Sequence, residues 1–101
     1  MKSVILSADG DRVIYSVPDI VAENLDEYCL KFCGEWLHTS PGAEKYRIRD
    51  NIVCYTESDF IDYLNTFIFP AEKSVFVKNL GPIYPEDDLP EEYKNYPYFN
   101  F

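Results

Sequence analysis

An Asp9-Gly10 pair between two runs rich in β-branched residues, Ser3 to Ala8 and Arg12 to Val17, constrains this chain more than any other feature. Asp-Gly readily supplies the positive φ angles of a tight turn, so the chain is expected to open with a β-hairpin. With residues 9 and 10 as a two-residue loop, Leu6 faces Val13 and Val4 faces Tyr15 on one side of the ribbon. The other side shows Ile5 and Ile14 among serines and Arg12. The first face is the expected core face. At 101 residues there is room for one core, so every later element must pack on this ribbon.

Between Pro18 and His38 the apolar residues Val21, Leu25, Tyr28, Phe32 and Trp36 recur at intervals of three or four, the period of a helix with one buried stripe. Pro18 suits the first turn, Asp19 and Glu23 sit near the positive end of the helix dipole, and Glu27 precedes Lys31 by one turn. Thr39-Ser40-Pro41-Gly42 ends that helix. Lys45 to Ile48 and Ile52 to Tyr55 read as a second strand pair around Arg49-Asp50-Asn51, or as one bent strand. Thr56 and Asp59 resemble a capping box, and Phe60, Leu64 and Phe67, flanked by Ile61 and Ile68, trace a second helix from about Glu57 to Phe69. Pro70 closes it, and Ser74 to Leu80 reads as a last strand before Gly81-Pro82. The expected fold class is α+β: an N-terminal hairpin and two amphipathic helices on a mostly antiparallel sheet, in the order ββαβ(β)αβ.

Residues 1–81 form this domain. Residues 82–101 carry prolines, acids and aromatics without a helix or strand period, and are expected to be an extended, irregular tail packed on the same domain. Two features of the chain exceed what folding requires. Eighteen acidic against nine basic residues leave a formal net charge of −9, enough to steer a basic partner and to repel nucleic acid and anionic membranes. The tail in turn places Tyr93, Tyr96, Tyr98, Phe99 and Phe101 just after Glu86, Asp87, Asp88, Glu91 and Glu92. These ten residues are the candidate partner-binding set. Their rings either lie across the sheet to complete the core or act as anchors for another protein.

Chemistry finds less support. Cys29 and Cys33 stand one turn apart, and with Cys54 and His38 a zinc site or a thiol nucleophile can be drawn. On a helical wheel, however, His38 projects roughly 140° from Cys33 at 100° per residue. Cysteine also packs well as a small apolar group, so Cys29 and Cys33 read as core, while Cys54 with His38 has no further support. Four scattered glycines make no phosphate-binding loop, and no carboxylate stands within an apolar run that would raise its pKa. No catalytic residue, metal or cofactor is therefore assigned. An odd number of cysteines without an export signal points to reduced thiols and a cytoplasmic location. The expected function is a non-enzymatic, acidic interaction module of a bacterial cytoplasm that binds a basic protein, in its sharpest form an inhibitor that imitates nucleic acid. The alternatives are a homo-oligomeric structural protein and a small thiol- or metal-dependent enzyme.

Overall fold

The opening ribbon pairs as its turn residues dictate. β1 (Lys2–Ser7) and β2 (Asp11–Val17) run antiparallel, with Val4 opposite Tyr15 and Leu6 opposite Val13. Gly10 has φ +97°, a conformation that a side chain would oppose. The computed structural model describes residues 1–8, 10–49, 52–82 and 90–101, so Asp9, the other residue of the expected turn, lies outside them.

The expected long helix is divided. α1 (Asp19–Glu23) stops at Asn24, whose φ of −131° and ψ of 40° leave the helical region, and α2 (Leu25–Lys31) starts afresh. The cause is local. Asparagine competes for backbone partners, and here its side chain donates to the carbonyl of Ile20 at 3.0 Å. α2 then widens into a π-helical turn over Phe32–Trp36 before a last α-helical turn, α3 (Leu37–Thr39). In a π turn five residues separate neighbours on one face. Phe32 is therefore followed in the core by Leu37, both fully buried, while Trp36, expected on the stripe, is half-buried.

Ser40 opens a 3-10 turn over Pro41–Tyr46, its hydroxyl accepting from the Gly42 amide at 3.2 Å. The second strand pair is real but small: β3 (Arg47–Arg49) and β4 (Ile52–Val53) form a separate antiparallel ribbon. α4 (Glu57–Tyr63) begins where the Thr56 amide donates to the Asp59 carboxylate at 2.8 Å, as the capping pattern predicts. It too ends in a π turn, Leu64–Ile68, so Phe60, Ile61, Tyr63 and Leu64 are buried whereas Phe67, expected on that face, is exposed.

β5 (Val75–Pro82) pairs antiparallel with β2, and β6 (Tyr98–Asn100) pairs parallel with β1, giving a mixed four-stranded sheet in the order β5-β2-β1-β6. The fold is α+β, as expected. The tail departs from its irregular reading. Pro82 belongs to β5, Glu91–Tyr93 form a 3-10 turn, and β6 is held to β1 from Ile5 N to Pro97 O at 2.8 Å and from Phe101 N to Ser7 O at 2.7 Å. Both faces of the ribbon are buried. Val4, Leu6, Val13 and Tyr15 join the helical core, and Ile5 and Ile14 are equally inaccessible on the opposite face. There the register sets Tyr98 beside Ile5 and Lys78 beside Ile14. Arg12 Nε donates to the Tyr98 hydroxyl at 3.1 Å, with its guanidinium 4.9 Å from the ring centroid.

Candidate protein-interaction surface

The break at Asn24 and the arrival of β6 make a surface that neither element has alone. Ala22 through Glu27 on one side and Pro97 and Tyr98 on the other line an open cleft of about 490 Å³. Beyond Pro97 a hollow of about 420 Å³ is lined by Lys2, Ser3, Ala22, Glu23 and Tyr96. Glu23, Asp26 and Glu27 line it together with Ala22 and Pro97, while the Tyr98 ring is turned to the Ile5 face, where Arg12 covers it. A lysine or arginine side chain matches this combination, with its stem on the apolar part and its charge at the carboxylates. Glu23 is already paired, accepting from Lys2 Nζ at 3.0 Å. Among the described residues neither Asp26 nor Glu27 has an ion-pair partner.

The ten residues expected to bind a partner do not stay together. Phe99 and Phe101 pack into the protein's own core: Phe101 lies 6.1 Å from Phe32, 5.7 Å from Tyr55 and 5.6 Å from Phe60, centroid to centroid. Tyr93 and Tyr96 meet edge to face at 5.5 Å and are half-buried. Glu91 and Glu92 are exposed, with Glu91 bridged to Lys94 at 3.1 Å. Glu86, Asp87 and Asp88 lie outside the described residues. Among the described members of the set, Tyr96 lines the hollow and Tyr98 the cleft, beside helix carboxylates that the sequence reading did not assign to partner binding. A signal for those carboxylates was present. Asn24 followed by Asp26 and Glu27 has the composition of a helix start, with acids in the first turn, inside what reads as one helix.

Several of the chain's cations are directed at groups other than carboxylates. The ion pairs among the described residues are the amino terminus with Asp19, Lys2 with Glu23 and Lys94 with Glu91. Arg47 donates to the Leu37 carbonyl at 3.1 Å, Lys45 sits 5.0 Å from the Tyr46 ring centroid, and Arg12 covers Tyr98. Among the described residues these three cations meet a carbonyl or a ring, and the ion-paired carboxylates are those of Asp19, Glu23 and Glu91.

The thiols differ in burial. Cys29 is buried and its pKa is driven up, first by desolvation and then by Cys33 and Asp26; Cys33 is half-buried and Cys54 exposed. Burial, then the neighbouring Cys33, raises the Tyr55 hydroxyl. His38 is exposed on α3. Among the described residues no three His, Cys, Asp or Glu side chains converge as a metal site would require, and no helix is long and apolar enough to cross a membrane. Comparison with family models, with curated proteins and with solved structures returned no match.

Proposed function

We propose that this chain is a non-enzymatic, cytoplasmic interaction module that binds a basic protein through the cleft between the α1–α2 break and β6. The observation that carries this reading is that Asp26 and Glu27, without an ion-pair partner among the described residues, line one cleft with Ala22 and Pro97. Charge placed this way steers encounter at long range, and the apolar flank adds short-range contact that salt does not screen. A protein whose own ligand is a phosphate backbone presents the required basic groove, and occupying that groove would make this chain an inhibitor.

The test compares the native chain with an Asp26→Asn/Glu27→Gln double variant, each used to capture proteins from host lysate at low and at high salt. The proposal expects a basic partner that is held at low salt, released as the Debye length falls from ~10 Å at 0.1 M to ~3 Å at 1 M, and lost from the double variant. A partner held equally by both chains, or insensitive to salt, would place the binding elsewhere.

A further inference from the structure

β1 reaches further than the strand that covers its edge. The ladder to β6 runs from Ile5 beside Tyr98 to Ser7 beside Asn100, whereas β1 begins at Lys2 and pairs with β2 from Lys2 to Leu6 in unbroken register. Along a strand, successive residues bond alternately to the two neighbours. The Ile5 amide donates to the Pro97 carbonyl at 2.8 Å and the Ser7 carbonyl accepts from the Phe101 amide at 2.7 Å, so the odd-numbered residues of β1 face β6. Ser3 therefore turns its N–H and C=O to the same side, at a level that β6 does not reach. Neither group has a partner among the described residues. Both open into the hollow beyond Pro97, which Ser3 lines with Lys2, Ala22, Glu23, Tyr96 and Pro97. Tyr96 is braced there, its amide donating to the Tyr93 carbonyl at 3.1 Å and its ring meeting Tyr93 edge to face. Ala22, Glu23 and Pro97 also line the acidic cleft, so hollow and cleft are adjoining compartments of one groove. Their chemistry differs. Asp26 and Glu27 belong to the cleft alone, and the hollow carries the Lys2 ammonium, 3.0 Å from Glu23, which disfavours a second cation.

We propose that the hollow is a second subsite for the basic partner. It takes an extended segment that bonds the Ser3 main chain and sets an uncharged, apolar side chain against Ala22, Tyr96 and Pro97, next to the lysine or arginine held in the cleft. The inference rests on the cleft reading and adds to it what the partner must present. An open strand edge recognises a peptide in this way: main-chain bonds supply affinity, and pockets for alternate side chains supply selectivity. At about 420 Å³ the hollow has room for one such side chain and the backbone that carries it. Side chains two apart on an extended chain share a face at about 6.5 Å, so the recognised element is a basic and an apolar residue with one residue between them.

The experiment follows the isotope-labelled chain by NMR at low salt as blocked pentapeptides are added: acetyl-Gly-Leu-Gly-Arg-Gly-amide, acetyl-Gly-Arg-Gly-Leu-Gly-amide, and versions with Leu or Arg replaced by Gly. Before any addition, the Ser3 amide is expected to exchange with solvent faster than those of Val4 and Ile5. One of the two orders is expected to bind at least about tenfold more tightly than the peptide lacking Leu, and at saturation to slow exchange at Ser3. Ser3→Pro removes an amide without a partner among the described residues, at a strand edge where proline is tolerated. It is expected to cancel the gain from Leu while keeping the binding of the Arg-only peptide, and circular dichroism reports whether it is folded. A Ser3 amide already as protected as that of Val4, equal binding with and without Leu, or a gain from Leu that persists in folded Ser3→Pro overturns the proposal. The cleft is read separately in Asp26→Asn/Glu27→Gln, where the gain from Arg should vanish while the gain from Leu and the protection of Ser3 remain. Loss of the Arg gain in that variant, with no Leu gain in the native chain, overturns the hollow and leaves the cleft. A Leu gain beside an Arg gain that the double variant keeps supports the hollow and overturns the cleft.

Discussion

Tyr15 stands where the acidic surface meets the core. Its ring is buried under α4 and touches Phe76 edge-on at 6.0 Å, while Glu57 and Asp62 lie close enough to act on its hydroxyl. Burial first, and those carboxylates second, push its pKa up to about 12 from an ordinary 10.0. The folded state thus resists forming the phenolate. The stability this represents is complete below the unfolded pKa and is lost as pH climbs from 10 through the folded value of about 12. Tyr55 and Tyr63, both raised mainly by burial, act in the same direction. Urea unfolding at about pH 8 and about pH 11 should show a loss that Tyr15→Phe reduces by on the order of 1 kcal/mol. An equally steep loss in the variant would remove Tyr15 from the account. The thiols give a second residue-scale expectation, because only a thiolate reacts. Cys54 should label first, Cys33 more slowly, and Cys29 only when the protein unfolds. Rapid labelling of Cys29 in the folded state would contradict its burial on the core side of α2.

Among the elements, the junction between the α4 π turn and β5 depends on one side chain. Asn65 Oδ1 accepts from the Ser74 amide at 2.7 Å and its Nδ2 donates to the Ser74 carbonyl at 3.0 Å. Ser74 itself is buried, with a hydroxyl that has no partner among the described residues. Asn65→Ala should cost about 1–3 kcal/mol by orphaning both backbone groups, and Ser74→Ala should be neutral or stabilise by up to about 1 kcal/mol, since the lone hydroxyl is what it removes. Chemical denaturation of the two variants checks both signs. The legibility of each element follows from the range of the forces that made it. The hairpin register was readable from Asp9-Gly10 and the α4 start from Thr56 and Asp59, because turn and cap chemistry act within a few residues. The two π turns were not, because the position of Leu37 or Phe67 relative to the core depends on what packs opposite, and a period of three or four looks the same up to the widening. β6 was missed for a related reason. Three residues between Pro97 and the chain end carry no alternation of their own, and the parallel ladder to β1 is a tertiary contact. The acids of the cleft were visible as charge, but their meeting with Tyr98 required that ladder.

At the scale of the whole molecule, fixed charge opposes the fold. Eighteen carboxylates share a surface of 6192 Å² with nine Lys and Arg, several of which face rings or a carbonyl. The compact state therefore carries a self-repulsion that the expanded chain relieves. Salt acts on both sides of this balance: it screens the repulsion, and it weakens the attractive pairs. The pairs among the described residues are solvated, namely Asp19 with the amino terminus, Lys2 with Glu23 and Lys94 with Glu91, and exposed pairs of this kind contribute at most about 1 kcal/mol each. Repulsion among the many unpaired acids outweighs them, so adding salt should stabilise the monomer. A net gain of about 1 kcal/mol raises the midpoint of a domain this size by roughly 4–8 °C. Thermal melts of the chain should show that rise between low and high sodium chloride. A midpoint that instead fell with salt would mean that the carboxylates are held in attractive networks, and the free acidic surface on which partner binding depends would not exist.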